Sequence, residues 1–386
     1  MKHTFDLSST FQLDKFHLTL GGFYPLEKVK YKYLYYSARV FIHLISWSHL
    51  LGMLTFSLVQ VSNLAQLADT LTWNMTQIPY LCKLVNFHIQ MNTVLKLEAW
   101  LRRPSFTWIT AEEETAIKST MRGARILTTI YRSLCVTIVS LFAIFPLIDK
   151  NSGEGKKLPL PMWFPFDVQN HYHAVWSYEV FGICISAWAN TNLDSLSVML
   201  ITLTVCQFRM LTKRLRNVGK GTEDVVRDEV VQKELKECII LYNDITRLVE
   251  LMETTFSNGI FVQFICGVFV ICMTGFRMMV VNLKSIQFFH LLAFFFGQIC
   301  QILMYCWYGQ TLMESSDSIS EACYFSDWFK CSNQTQKYFL IIMERSKRPV
   351  IMMAGKFFFL HLDTLMAILK SSYSYFAVLQ QIYSDK

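Results

Sequence analysis

The sequence has few charged residues, which make up 17% of its 386 positions, whereas a soluble globular protein carries about a quarter. Its eleven cysteines are spread thinly with no Cys-x-x-Cys pair, so neither a disulfide scaffold nor a zinc module is indicated. Glycine and proline are scarce, at 15 and 8 residues, which disfavours disorder. These shortages exclude a secreted mini-protein, a disordered tail and an ordinary cytosolic enzyme.

Sequence signatures of catalysis and metal binding are missing too. No P-loop, Gly-x-Ser-x-Gly or His-Glu-x-x-His motif occurs. His171 and His173 flank Tyr172, but two histidines without a nearby third ligand are typical of a surface rather than a metal site. We therefore expect no catalytic residue, no cofactor and no metal, and the chain is predicted not to be an enzyme.

Long apolar runs are what the sequence does have. A membrane-spanning helix needs about 20 mostly apolar residues. Seven stretches approach this, at about 38–61, 66–90, 126–148, 174–206, 256–281, 286–308 and 350–381. The second is the weakest because polar residues interrupt it, and the fourth is long enough to tilt or to project from the bilayer. The sequence predicts an all-α protein with seven transmembrane helices.

The distribution of basic residues gives the orientation. No signal peptide precedes the first span, so we expect the N-terminus in the cytosol. The inner segments 1–37, 91–125, 207–255 and 309–349 then hold 25 Lys and Arg, against 5 in the outer segments. Such an excess marks the cytosolic side and puts the C-terminus outside. A G-protein-coupled receptor has the opposite orientation.

The connections between spans are of two kinds. The outer connection 149–173 contains Pro159, Pro161 and Pro165 at close spacing, which favours an extended, stiff backbone. Its aromatic residues could cover a pocket or sit among lipid headgroups. The inner stretches 222–255 and 309–345 show helical periodicity with charged residues between apolar ones. They predict either a packed cytosolic base or helices on the membrane surface, and the first should continue into the fifth span.

Ionisable residues inside spans are expensive and are functional candidates by default. They are Lys83, Arg132, Glu179, Asp194 and Arg277. For each of them, pairing within the protein or snorkelling to the interface is favoured over ligand contact.

The last span carries a polar stripe. Asp363, Ala367, Ser371, Ser374 and Val378 recur at steps of three or four residues, and the stripe continues to Gln381 or Ile382. The opposite side is apolar, with Leu365, Ile368, Leu369, Phe376 and Leu379. The stripe could line water, or its small residues could simply let helices approach closely.

The C-terminal third resembles the insect odorant receptors. The similar residues are Tyr305, Cys306, Gly309, Leu312, Glu314, Ser315, Ala322, Tyr324 and Trp328, then Arg348-Pro349 through Ser372-Tyr373-Ser374-Tyr375-Phe376. The outer loop Pro161-Met162-Trp163-Phe164-Pro165-Phe166-Asp167 is also similar to that of family members. The inverted orientation agrees with the resemblance independently.

The resemblance implies a ligand-gated, non-selective cation channel in the plasma membrane of a sensory-neuron dendrite. Family members form heterotetramers in which a tuning subunit joins a shared co-receptor, and their last helices line one pore. The resemblance places the gate at Val378 and Ile382, with Gln381 and Ser374 on the conduction path. The inner connection 207–255 is short for a co-receptor, so the chain resembles a tuning subunit.

The resemblance also implies a division of the chain. Residues 1–206 would form the N-terminal tail and the first four spans, 207–349 the next two spans and the cytosolic helices, and 350–386 the pore-lining helix. The cytosolic helices would be an anchor domain that holds the subunits together. The anchor residues expected from the signature are Tyr305, Glu314, Tyr324 and Trp328.

The ligand pocket implied by the resemblance lies in the outer half of spans two, three, four and six. The candidate residues there are Trp73, Gln77, Tyr80, Cys135, Ile138, Phe142, Tyr178, Phe181, Ile185, Phe288, Leu292, Phe295 and Phe296. Any one of them could equally serve helix packing. The aromatic set predicts a small, uncharged, largely apolar volatile, with an aromatic or heterocyclic odorant a fair guess.

Three other functions remain open from sequence. A gustatory receptor shares the topology and a similar Tyr and Gln near the chain end. A G-protein-coupled receptor would need an outer N-terminus. A transporter would need repeat symmetry or broken helices, and neither is visible. Expected partners are the co-receptor subunits, a small volatile and membrane lipid, and no nucleic acid.

Overall fold

The computed structural model describes residues 2–24, 32–60, 64–148, 158–219 and 227–384. Its long helices follow the predicted spans. They are α2 (Lys32–Val59), α3 (Leu64–Ile89), α6 (Ala111–Ile148), α7 (Tyr172–Asn217), α8 (Arg227–Val280), α9 (Ile286–Tyr324) and α11 (Leu362–Ser384). Seven long helices in a chain with minimal strand content confirm the all-α, seven-span prediction.

Shorter elements complete the chain. The helices are α1 (Gln12–Leu20), α4 (Met91–Leu101), α5 (Pro104–Thr107) and α10 (Asn333–Ser346), with 3-10 turns at Leu7–Phe11 and Trp328–Lys330. The strands are β1 (Lys2–Thr4), β2 (Trp108–Thr110), β3 (Met353–Ala354) and β4 (Phe358–Phe359). β1 pairs antiparallel with β2, with Lys2 opposite Thr110, and thereby ties the N-terminal segment to the start of α6.

Five of the described helices, α2, α6, α7, α8 and α9, are long and apolar enough to cross a membrane. α7 lies at the centre of the bundle, since every residue from Thr191 to Phe208 is buried. It packs against α6, α8 and α9, while α3 packs along α8. α2 and α6 instead expose large apolar side chains, such as Leu44 at 65% and Val136 at 65%. An outward apolar surface of this kind fits a lipid environment.

The inner helices behave largely as predicted. α8 runs without a break from Arg227 to Val280, so the amphipathic inner stretch does continue into the fifth span. Its predicted first residues, including Val226, lie outside the described residues. α9 extends to Tyr324, and α10 packs against both α9 and α8. These inner ends form a packed base rather than separate surface helices.

The predicted start of the last span at residue 350 is wrong. Residues 353–359 form a short hairpin, in which Met353 pairs with Phe359, and α11 begins only at Leu362. Gly355 and Lys356 adopt positive φ angles of 61° and 63°, which a continuous helix does not allow. The apolar composition of 350–361 concealed this turn.

The three cations among the candidate span residues are paired within the protein. Lys83 Nζ lies 2.7 Å from Asp194 Oδ1, and Arg277 Nη1 lies 2.6 Å from Asp69 Oδ1. Arg132 bonds to Asp14 of α1, which holds the N-terminal helix against the bundle. The preference for pairing over ligand contact therefore agrees with the geometry of all three cations.

Candidate ligand cavity and pore helix

A cavity of about 110 Å³ lies between α2, α3, α6, α7 and α9. Six of the candidate ligand residues line it together, namely Trp73, Gln77, Tyr80, Cys135, Ile138 and Phe142. The Trp73 ring lies 4.4 Å from the Phe142 ring and 5.5 Å from the Phe294 ring, measured between centroids. These three rings form an aromatic wall on one side of the cavity.

Seven candidates lie outside this lining. They are Tyr178, Phe181, Ile185, Phe288, Leu292, Phe295 and Phe296. Phe181 is 49% exposed and packs against Phe41, and Phe296 is 53% exposed. On α9 the cavity instead receives Phe294 and Gln298. The first part of this helix is apolar on every side, so its periodicity could not show which side faces inward.

The lining also contains residues that sequence reasoning missed. They are His49, Met53, Thr76, Tyr131, Val139, Leu160, Ile183, Ser186, Ala187, Asn190, Thr191, Phe294, Gly297, Gln298 and Gln301. The polar residues among them had a detectable signal, because an amide in the middle of an apolar span is expensive unless it has a role. The contribution of α2 had no comparable signal.

The cavity is apolar at its outer end and polar at its inner end. In each helix the outer lining residue is apolar, as with Met53, Trp73, Phe142, Ile183 and Phe294. About one to three turns further inward each helix presents a polar one, and these are His49, Tyr80, Tyr131, Asn190 and Gln301. Seven helical residues advance about 10 Å. The apolar and polar ends are therefore separated by roughly the length of a small organic molecule.

A buried polar network lies beneath the inner end. Lys83 Nζ donates to Asp194 Oδ1 at 2.7 Å and to Asn190 Oδ1 at 3.1 Å. Gln301 Nε2 donates to Asp194 Oδ2 at 2.6 Å. Gln263 Nε2 of α8 donates in turn to Gln301 Oε1 at 3.1 Å. The network joins α3, α7, α8 and α9 directly below the cavity.

Tyr305 belongs to this network and not to a subunit surface. Its hydroxyl donates to Asp194 Oδ1 at 2.7 Å, and its side chain is 1% exposed. Direct contact with another subunit is therefore not available to it, which corrects its assignment as an anchor residue. The other anchor candidates lie further along α9 and beyond it. Glu314 is exposed and accepts a bond from Gln310, Tyr324 is 65% exposed, and Trp328 is partly buried.

The proline-containing loop closes the outer end of the cavity. Leu160 lines the cavity, and Leu160 and Met162 are buried against Met53 and Phe142. The Leu160 N–H donates to Glu179 Oε2 at 3.0 Å, and the Trp163 N–H donates to the Gly52 carbonyl at 3.1 Å. Trp163 and Phe166 point outward. The loop thus places Leu160 and Met162 inward and leaves Trp163 and Phe166 exposed.

α11 packs through its apolar side only. Leu365, Ile368 and Ser372 are buried, and the Ser372 hydroxyl donates to the Val268 carbonyl of α8 at 3.1 Å. The predicted pore residues Ser374, Val378, Gln381 and Ile382 all lie on exposed parts of the helix. The chain itself therefore leaves the polar stripe uncovered.

Among the described residues, no group of three potential ligands is placed to hold a metal ion. The fold and the cavity together define a class, namely a helical membrane protein with a cavity between its spans. The chain belongs to the 7tm odorant receptor family, whose model matches residues 63–373.

Two relatives and two solved structures show the extent of the similarity. Odorant receptor Or1 of Anopheles gambiae is 24% identical over 99% of this chain and 97% of its own length. Odorant receptor 94a of Drosophila melanogaster is 27% identical over 59% of each chain. The olfactory receptor OR5 of Machilis hrabei, solved alone and in complex with eugenol, superposes with TM-scores of 0.85 and 0.84. Both structures are 15% identical, cover 97% of each chain, and show the fold.

Proposed function

We propose that this chain is the odorant-specific subunit of a ligand-gated, non-selective cation channel. The observation that carries the proposal is the combination of a cavity between the spans with an uncovered polar stripe on α11. Burial of the opposite side of α11 against α8 leaves that stripe free to face a central pore. On this proposal Val378 and Ile382 form the gate, and Ser374 and Gln381 line the path beside it. A ring of apolar side chains can close such a path by dewetting.

The partner is the co-receptor, in a heterotetramer at the plasma membrane of a sensory-neuron dendrite. The packed inner ends of α8, α9 and α10 would form the anchor domain, with Glu314, Tyr324 and Trp328 toward its surface. Residues 1–206 would carry the first four spans, 207–349 the next two spans and the anchor, and 350–386 the last segment, whose pore helix α11 begins at Leu362. The cavity draws on the first two of these segments, because α9 supplies Phe294, Gln298 and Gln301.

Ligand binding opens the pore only if the odorant binds the open arrangement more tightly than the closed one. The buried network offers a physical connection for this difference. Gln301 lines the cavity and is bonded to Gln263 of α8, and α8 is the helix on which α11 packs. A small shift of Gln301 at the cavity floor would therefore displace Gln263 and with it α8, the helix on which α11 packs.

The test is whole-cell recording from cells that express the chain with and without the co-receptor. Small volatiles are applied while G-protein signalling is blocked. Rapid cation current only in the paired cells is the expected result. A response that disappears with the G-protein block would contradict the channel proposal and favour a G-protein-coupled receptor. A response to tastants alone would favour a gustatory role.

A further inference from the structure

The polar groups at the inner end of the cavity are mostly committed to other parts of the protein. Gln301 uses both ends of its amide, on Asp194 and Gln263. The Tyr80 hydroxyl lies 3.0 Å from Ser46 Oγ, and Gln77 Nε2 donates to the Ser46 carbonyl and Ser186 Oγ. These side chains shape the floor, and a ligand would have to break existing bonds to engage the atoms named here.

Gln298 differs from its neighbours. It lines the cavity from α9, with the side chain 9% exposed, and within the described part of the chain its amide has no hydrogen-bond partner. Neither amide atom is among the fully buried unpaired polar atoms of the described residues, so the amide keeps accessible surface. Asn190 of α7 is also part of the lining, and its carboxamide oxygen accepts a hydrogen bond from Lys83. Since that oxygen is occupied, the N–H groups of Asn190 are the part left for a ligand. The described lining thus offers amide donors on Asn190 and Gln298 and amide acceptors on Gln298 and Gln77, since only the Nε2 of Gln77 is bonded.

We propose that the cavity takes an uncharged volatile with a single oxygen function at one end. The oxygen lies inward against the Gln298 amide, and the apolar body points outward toward Phe142 and Leu160. This inference rests on the proposed odorant-binding function and specifies the chemical class of the ligand. Alcohols, aldehydes and ketones fit, because an amide both donates and accepts. A hydrocarbon of the same shape leaves Gln298 unpaired.

Charge and size narrow the class further. The described lining contains no carboxylate, ammonium or guanidinium group, and Lys83 and Asp194 beneath it neutralise each other. A charged ligand would therefore lack a counter-ion in the cavity, and its burial there would be unfavourable. The volume of about 110 Å³ is of the order of an engineered cavity of about 150 Å³ that binds benzene. A single ring or a six-carbon chain with one oxygen is the expected scale.

The experiment uses matched pairs of volatiles on the full-length chain with its co-receptor. Benzyl alcohol and benzaldehyde are compared with toluene, and hexanol and hexanal with hexane. Currents give half-maximal concentrations, and thermal stabilisation of the purified receptor gives binding without gating. We expect the oxygenated member of at least one pair to act at lower concentration than its hydrocarbon.

Gln298→Leu removes the amide at nearly constant volume. It should raise the half-maximal concentration of the oxygenated member roughly three- to tenfold, the effect of one net hydrogen bond, and leave the hydrocarbon unchanged. Gln287→Leu makes the same change on the same helix outside the cavity lining and is the matched control. Equal potency within every pair, with no effect of Gln298→Leu, overturns this inference while the odorant-binding function stands. If no volatile produced either stabilisation or current, both this inference and the proposed odorant-binding function would be overturned.

Discussion

Lys83 Nζ lies 2.7 Å from Asp194 Oδ1, and the two side chains are 7% and 0% exposed. The pair joins α3 to α7 at the depth where the cavity ends. Tyr305 and Gln301 donate to the same carboxylate, so Asp194 receives three donors from two other helices. An ion pair this deep is tolerated only when its remaining bonding capacity is filled. It therefore fixes the cavity floor without leaving a net charge there.

Breaking this pair on one side should destabilise the receptor strongly. Asp194→Leu leaves Lys83 buried without its anion, and Lys83→Met leaves the carboxylate without its cation. Each should cost about 3–5 kcal/mol, because an uncompensated buried charge remains. The double variant should be less damaged than the sum of the two. Thermal midpoints of the purified receptor measure this, with Arg247→Ala in the exposed Arg247–Glu250 pair as the control, expected to cost under about 1 kcal/mol. Strict additivity of the two single variants would contradict the pairing.

Two phenylalanines proposed for the pocket now have different expected outcomes. Phe142 lines the cavity and is 8% exposed, whereas Phe181 is 49% exposed on the outer side of α7. Phe142→Ala should enlarge the outer end and shift sensitivity toward longer volatiles, by roughly tenfold or more for the best-fitting ones. Phe181→Ala should leave the order of odorant potency unchanged. Dose–response curves for volatiles of increasing carbon chain length measure both effects. A reversal of the two outcomes would place Phe181 in the pocket.

The loop over the cavity should control how long a ligand stays bound. Glu179 Oε2 accepts the Leu160 N–H, and Glu179 is fully buried. Glu179→Leu removes that acceptor, and a hydrogen bond is worth about 0.5–1.5 kcal/mol net. The current should therefore decay faster after odorant washout. Glu179→Gln keeps an acceptor and should have the smaller effect. Identical decay in all three proteins would show that the loop does not retain the ligand.

Substitution of Val378 should change conduction without changing odorant preference. Val378 is 57% exposed on the uncovered side of α11, away from the cavity. A carboxylate placed there by Val378→Glu should prevent dewetting and favour cation entry, raising the current without odorant or altering ion permeability. Met366→Glu changes another exposed position on α11 and serves as the control. Normal currents with an altered order of odorant potency would remove Val378 from the gate.

Acid should weaken the attachment of the N-terminal segment to the cytosolic side. Burial raises the pKa of Glu98, but hydrogen bonds from Lys15 and Tyr24 lower it by more than burial raises it. The net pKa of Glu98 therefore lies below its usual value of 4.5. The unfolded chain then binds this proton more readily than the folded one. The stability contributed by Glu98 is complete above pH 4.5 and is lost as the pH falls through the lower folded value.

The variant Glu98→Gln isolates this contribution. The difference in thermal midpoint between the wild type and Glu98→Gln should be largest near neutral pH and shrink in acid below pH 4.5. Glu321→Gln changes an exposed glutamate at the end of α9 and should give a small difference throughout. A Glu98 difference that stays constant down to pH 3.5 would show that the carboxylate contributes nothing through its charge.

The sequence predicted where the helices lie along the chain better than it predicted which side of each helix faces inward. The spans, the continuous α8 and the apolar side of α11 all followed from hydropathy and helical periodicity, which are local properties. Phe295 and Phe296 were assigned to the pocket in place of Phe294 and Gln298 because the outer part of α9 is apolar all round. The turn at Gly355 was missed for a related reason, since its flanking residues are as apolar as the span.

What the sequence determined alone is the membrane architecture. A bilayer forces backbone groups to be paired within helices, so composition was sufficient for the spans, and the excess of basic residues on one side predicts their orientation. Only the tertiary structure decided which side chains meet. It paired Lys83 with Asp194 across 111 positions of sequence, brought α2 into the cavity wall and left the Gln298 amide open at the cavity floor. Those contacts depend on the rotation and depth of each helix relative to its neighbours, and no local pattern in the chain encodes that relationship.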